Sequence, residues 1–502
     1  MSDGYLGAGG RLEGGPAPEL VASGYAHEID AAPRLAPWLS LADLAHAVAL
    51  AEAGAIPADD ARGLLGGLLD LDAFAPGVLP WRPELGDAFN SREAALAERV
   101  GPSAAGWLSA GRPRREAFRV ALRLCARAGA LDLHDAVLDG AAALVDLSER
   151  HAGDLAADYT YLQPAQPTTI GHLLLAYAAP ALRDAERLRA AHARLDLSVA
   201  GAGGSAGSRW PLDRARLADL LGCSGVVVHT KDAMWQADVY AELVAAVATA
   251  AAHGSQLAQD LEILASQEFA AVALADRHSR ASALMPQKRN PYALAVIRTQ
   301  AGVAAGELAA LLVTLHTGSA RTDHFHLLNG SVPRLLEQSV AVSRLEAEVV
   351  AALELHPDRF GRAAREGFTA AADVADALAQ EGGLDYRTAH RVVGRAVRDL
   401  VGEGLPPDAL TPERIARAGE DAAGRTAAIS AEALAAALDP EAAARSRPQT
   451  GSSAPDEVAA MIAGGRRAVA AGRRFSEEAR AGAAAAREAL LAQARALAGR
   501  AG

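Results

Sequence analysis

From Arg119 to Arg150 the chain contains no proline, and Leu124, Leu131, Leu138 and Val145 fall at every seventh position with charged residues between them. Apolar positions at that interval line one face of a long helix packed in a bundle. A second stretch, from Ala241 to Leu264, sets Leu243, Val247, Leu257, Leu261 and Leu264 at near-helical spacing, with Gln256, Gln259, Asp260 and Glu262 mostly turned away. Helices this long exceed the usual three turns and need partners along their whole length, most simply each other and copies from neighbouring subunits. Gly and Pro punctuate the chain near 76–87, 101–113, 200–211, 356–361 and 402–412. These breaks predict three helical domains: 1–112, a central long-helix bundle 113–362, and 363–502. Phe475 to Gly502 is rich in Ala, Arg and Glu and is expected to form a surface helix or tail.

Composition narrows the class. The chain has 502 residues, 51% hydrophobic and 22% charged, enough to bury a large core, and only 4% aromatic, which favours helix over sheet. An all-α protein is expected. A formal charge of −12 and the lack of a basic stripe with interleaved aromatics disfavour nucleic acid as a partner. Cys125 and Cys223 stand apart without metal-ligand spacing and are expected to pack internally. The N-terminus shows no basic-then-apolar targeting pattern and no uncharged apolar run reaches membrane-spanning length, so no membrane partner is expected and the cytoplasm is the default location.

The segment most suggestive of chemistry is Ser282-Ala-Leu-Met-Pro-Gln-Lys-Arg-Asn-Pro291. Taken alone it is a loop in which Lys288 could hold a carboxylate and Ser282, deprotonated by local positive charge, could remove a carbon-bound proton. Taken alone, a solvated Lys/Arg turn is the better explanation. The run Met285–Pro291, however, resembles the signature loop of the fumarase/aspartase superfamily, and its Gln287 is similar to the argininosuccinate lyase branch. Two further segments agree, in the family's order: Gly111-Arg-Pro-Arg-Arg115 resembles the first conserved region, and Tyr159-Thr-Tyr-Leu-Gln-Pro-Ala-Gln-Pro167 with Gly171-His172 the second. Similarity continues through 35–56, 201–221, 367–376 and 451–455, so it covers nearly the whole chain.

That resemblance implies a tetramer with a core of long helices from four subunits, each active site built from three subunits, and a cofactor-independent, metal-free β-elimination on a small carboxylate substrate. It puts Ser282 at the serine that takes a proton beside a carboxylate, Lys288 and Asn290 at the positions that hold the carboxylate, and Thr160 and Gln163 at those contacting the succinyl part. Pre-placed donors aimed at developing negative charge are the main source of rate in such chemistry.

The departures are specific. The family's general-acid histidine is Tyr161 here, and the glutamate that pairs with it, thirteen positions after the serine, is Ala295. Both halves of the relay are lost together, as expected if the leaving group needs no imidazole proton, or if Tyr161 supplies one. The ammonia-releasing branch also lacks this histidine, so its loss does not imply inactivity. The family's Ser-Arg-Asn becomes Pro113-Arg114-Arg115, which with Arg112 suggests an extra anionic group on the substrate. Ala281 and Ala283 flank Ser282 where Gly and Ser are usual, stiffening the loop, and Phe89 replaces a histidine. Where argininosuccinate lyases carry Tyr, Gln and Lys for the arginine half, this chain has Ala320, Phe325 and Leu328, so argininosuccinate is a poor candidate. His324 and His326 are two apart, which on a helix does not suit a metal. His324 is the residue expected to line the altered pocket. Gly201-Ala-Gly-Gly-Ser-Ala206 follows a helical stretch and is expected to be a tight turn, not a nucleotide loop.

The expected function is elimination of an amine or other nitrogen leaving group from a succinyl-type substrate, releasing fumarate, in a specialised biosynthetic pathway. The rivals are an isomerase, cyclase or conjugate-addition enzyme on the same fold, and a non-catalytic homologue.

Overall fold

The structure, a computed structural model, describes residues 15–73, 78–79 and 81–500. The N-terminal stretch 1–14, part of the break at 76–87 and the last two residues lie outside it. The fold is helical throughout, with short two-stranded pairs as its only sheet among the described residues.

Helix α1 (Ala26–Glu52), α2 (Ala58–Asp72) and α3 (Ala88–Gly106) form the N-terminal part. The Asp87 side chain caps α3 by accepting the Phe89 and Asn90 N–H groups. Pro113 then starts α4, Arg114–Arg150, at 37 residues longer than its periodic core suggests. All four heptad residues, Leu124, Leu131, Leu138 and Val145, are buried. Helix α5 (Ile170–Leu195) packs along α4. Gly171 is required where the two meet, because a Cβ there would stand 2.5 Å from the Ser148 carbonyl oxygen.

Helices α6 (Asp238–Leu264), α7 (Tyr292–Thr314) and α8 (Asp323–Ala351) complete the bundle, α6 and α8 both packing on α7. Helix α7 is long and apolar enough to cross a membrane, by length and composition only. It is mostly uncovered within one chain: Val303, Leu312 and Val313 are exposed, while Arg298 pairs with Glu262 and Glu307 with Arg334.

Helices α9 (Ala371–Gly382), α10 (Tyr386–Glu403) and α11 (Pro412–Ala423) enclose a separate core around Val374, Leu378, Val392 and Ile415. The expected boundary at 362 falls inside a helix, Pro357–Glu366. The segment expected to be a surface helix or tail is helical, the second half of one 43-residue helix, α12 (Pro455–Leu497), laid antiparallel along α4. Its register is visible in three arginines at seven-residue steps meeting three aspartates at the same steps: Arg466–Asp146, Arg473–Asp139 and Arg480–Asp132.

Candidate active site

The second conserved segment forms a β-hairpin, which helical patterning did not anticipate. Strand β1 (Leu155–Thr160) pairs antiparallel with β2 (Gln163–Thr169), and Thr160 faces Gln163 across the last rung. Tyr161 and Leu162 are therefore the two-residue turn, with φ of 53° and 60°. Both lie in the left-handed region that a primed hairpin turn requires, and Asn-Gly would fit there without strain. Tyr161 is 100% exposed at the tip, and Thr160, Leu162 and Gln163 are exposed beside it.

The signature segment is a loop clasped by another strand pair. Past β3 (Val272–Ala273), strand β4 (Arg280–Ala281) pairs with β5 (Arg289–Asn290), and Asn290 Nδ2 donates to the Arg280 carbonyl at 2.9 Å. Inside the loop, Ser282 Oγ accepts the N–H of Met285 at 3.0 Å and of Leu284 at 3.3 Å. Two amide dipoles converging on a hydroxyl oxygen favour its anionic form, as a serine base needs. Lys288 is exposed and makes no ion pair among the described residues. Arg289 by contrast pairs with Asp276 at 2.8 Å.

The hairpin and the loop occupy the same end of the bundle. The Tyr159 ring stands 5.8 Å from that of Phe269, and β3 pairs with β6 (Glu354–Leu355) just after α8 ends. The first conserved region is at the other end. Arg114 begins α4 and the hairpin follows its last turn; 37 residues at ~1.5 Å each separate them by about 55 Å. Helix α8, 29 residues long, measures about 43 Å from the His326 end to the loop end.

At the far end, Arg114 pairs with Asp87, whose carboxyl is pushed up by burial against the pull of that arginine. Arg115 is exposed and makes no ion pair among the described residues. Arg112 corrects an expectation. It is buried, donates to the Ala42 carbonyl at 3.1 Å and pairs with Asp43 at 2.7 Å, so it serves the core and not an anionic ligand. Asp43 also holds Arg92 at 3.1 Å. His324 corrects another: it is buried, with Nε2 bonded to the Trp235 carbonyl at 2.8 Å, and burial lowers its pKa. Phe325 and Leu328 are likewise core residues, and the Arg119 guanidinium stacks on the Phe325 ring at 3.1 Å. His326 is the exposed histidine of the pair, its Nδ1 2.7 Å from Glu28 Oε1. The segment 201–206 is a tight turn as expected, and its Gly201 and Gly203 N–H groups cradle the buried Glu116 carboxylate at 2.6 and 2.7 Å.

This arrangement matches a known architecture. Residues 22–306, more than half the chain, match the model of a family described as lyase, and residues 368–445 match the C-terminal region of argininosuccinate lyase. The chain belongs to the fumarase/aspartase superfamily. It is a lyase of the argininosuccinate lyase-like branch, as its signature segments imply. The argininosuccinate lyase of Methanoculleus marisnigri is 33% identical over 464 residues, covering 91% of this chain and 93% of that one. The enzyme of the same name from Halobacterium salinarum is 36% identical over 455 residues, 90% of each chain. Among solved structures, EDDS lyase in complex with formate superposes with a TM-score of 0.86 at 27% identity, covering 98% of this chain and 97% of that one. The 3-carboxy-cis,cis-muconate lactonizing enzyme of Pseudomonas putida, at 23% identity and a TM-score of 0.67 over 87% of this chain and 95% of that one, shares the fold.

Proposed function

We propose that this lyase eliminates an amine or other nitrogen leaving group from a succinyl-type substrate and releases fumarate, with Ser282 as the carbon base. The observation that carries this reading is the Ser282 oxygen, held by two amide N–H groups inside a loop that also presents Lys288, exposed and without an ion pair among the described residues. The base takes the proton beside a carboxylate. Lys288 and Asn290 hold that carboxylate as it gains charge, and Thr160 and Gln163 on the hairpin grip the rest of the succinyl group. Arg114 and Arg115 line the far side, and the exposed Arg115, without an ion pair among the described residues, suits an anionic group on the substrate. Tyr161 stands where the family's acid stands and is one candidate for that role. A fumarate-bound variant of EDDS lyase, 27% identical with a TM-score of 0.86, supports the product class. Loss of the arginine-holding residues, with Phe325 and Leu328 turned into the core, argues against argininosuccinate as substrate.

The helix lengths bear on assembly. No single chain can close Arg114 and Ser282 around one small molecule from opposite ends of helices about 43–55 Å long. A homotetramer with shared sites resolves this, and the uncovered apolar face of α7 gives it a bundle core. We place the enzyme in the cytoplasm with no cofactor.

The test is incubation of purified protein with fumarate and a panel of amines, hydroxylamine, hydrazines and nitrite, following fumarate absorbance and adduct mass beside Ser282→Ala. Consumption of fumarate that disappears in Ser282→Ala identifies both reaction and leaving group. No adduct with any partner, from a folded protein, refutes this function.

A further inference from the structure

Tyr161 and Ala295 leave this chain without the histidine–glutamate relay of its family, yet of the four histidine–carboxylate pairs among the described residues one joins the first turns of α8 and α1 and has a largely exposed histidine. His326, on the first turn of α8, and Glu28, on the first turn of α1, lie 2.7 Å apart through Nδ1 and Oε1. With Nδ1 donating to Glu28, Nε2 is the outward-facing nitrogen. The pair is built asymmetrically: the Glu28 side chain is only 14% exposed, whereas His326 is 60% exposed. A carboxylate set back behind an imidazole fixes its ring and tautomer and favours its protonated form. The position also fits a substrate site, because the pair stands at the Arg114–Arg115 end of the bundle, close enough for the charges of Arg115 and Arg119 to act on His326.

We propose that His326, oriented by Glu28, is the acid that protonates the departing nitrogen. This rests on the shared site described above, in which the α4 and α8 N-termini face the hairpin and serine loop of other subunits. The Ser282 alkoxide takes the carbon-bound proton, and the carbanion's electron pair forms the C=C bond of fumarate. The C–N bond breaks with its pair on nitrogen, and His326 Nε2–H delivers the proton that releases the amine. His326 is left neutral and regains a proton from water, to which Ser282 loses one.

The surroundings agree. Glu28 raises the His326 pKa, overcoming the opposing effects of burial and of Arg115 and Arg119 on α4. On its own helix Asp323 precedes it, and His324 is spent on the Trp235 carbonyl. A phenol, with an ordinary pKa of about 10 against about 6.5 for imidazole, gives up its proton less readily near neutrality.

The experiment compares 2-hydrazinylsuccinate, whose leaving nitrogen needs a proton, with 2-nitrosuccinate, which expels nitrite as an anion. In the full-length protein His326→Gln should lower turnover of the hydrazinyl substrate by about 10²-fold or more, and of the nitro substrate by no more than a few-fold. Glu28→Gln should shift the alkaline limb of the hydrazinyl pH profile to lower pH, since the acid must be protonated and its carboxylate support is gone. A purely structural pair would move neither the leaving-group ratio nor the limb. Equal losses on both substrates, or a leaving-group-dependent loss in Tyr161→Phe with none in His326→Gln, overturn the proposal. If wild type turns over neither substrate and no adduct forms with fumarate, the proposed elimination itself falls and this acid with it. An NMR titration of His326 tests the pair without activity: its pKa should fall in Glu28→Gln, and an unchanged value removes Glu28 as its support.

Discussion

The separation of Arg114 from Ser282 makes a quantitative prediction about mixed oligomers. On the proposed mechanism Arg114→Ala and Ser282→Ala should each be nearly inactive alone, because one removes a substrate-side cation and the other the base. In one chain these residues lie at opposite ends of helices about 43–55 Å long, so the proposed shared site takes them from different subunits. If the two variants are co-assembled in equal amounts, the subunit offering Ser282 is intact there half the time. The subunit offering Arg114 is independently intact half the time, and about a quarter of sites regain both groups. Activity should therefore rise from near zero to about a quarter of wild type once subunits exchange. Native mass spectrometry of differently tagged chains verifies the mixing, and initial rates measure the recovery. Mixed oligomers with activity no higher than the parents would show that one chain supplies both residues, and the assembly argument would be wrong.

Three other outcomes follow from the geometry. Arg112→Met leaves Asp43, 0% exposed, with only Arg92 as ion-pair partner among the described residues, so stability should drop by about 3–5 kcal/mol in denaturant titration while kcat of the folded enzyme stays within two-fold; a selective rise in KM would return Arg112 to the substrate. Leu162→Gly relieves a left-handed residue at φ 60° and should raise stability by about 1 kcal/mol; a lower Tm would mean that Leu162 packs against a neighbouring subunit. Burial and the Asp184 charge push the Glu346 carboxyl up to about 7, so between its ordinary range and that value the folded state binds more protons and stability falls as pH rises. Glu346→Gln should therefore raise Tm at pH 8, by up to about 3 kcal/mol of stability, and not at pH 4.

Much of the fold was legible because its signals are local. A seven-residue repeat fixes which side of α4 is buried, and it needs no knowledge of what lies opposite. The hairpin carries no such signal: Pro164 and Pro167 interrupt any alternation, and Tyr-Leu is a poor primed turn. Arg112 was misread for a different reason, since its partner Asp43 lies 69 positions away and only the fold brings the two together. The two histidines, however, were separable in advance. His324 and Leu328 are four apart and Phe325 and Leu328 three apart, so they share one helix face. His326, two positions from His324, is turned about 200° away from it on a helix. Once that face is known to be core, His326 is the only one of the two left to meet a ligand.

The same contrast bears on whether the site is live. Thr160, Gln163 and Lys288 are exposed, Ser282 and Asn290 are half-buried, and none lies among the buried residues of the hydrophobic core. Folding makes little demand on side chains in such places, and surface substitutions away from caps and cores usually change stability by about 0.5 kcal/mol or less. Tyr161 and Leu162 go further, since their left-handed turn works against stability. Thr160, Gln163 and Lys288, which the core does not need, beside a turn that strains the chain, are better explained by a substrate than by a scaffold. On the proposed function, the relay residues replaced by Tyr161 and Ala295 mark a change in what leaves the substrate, not the end of catalysis.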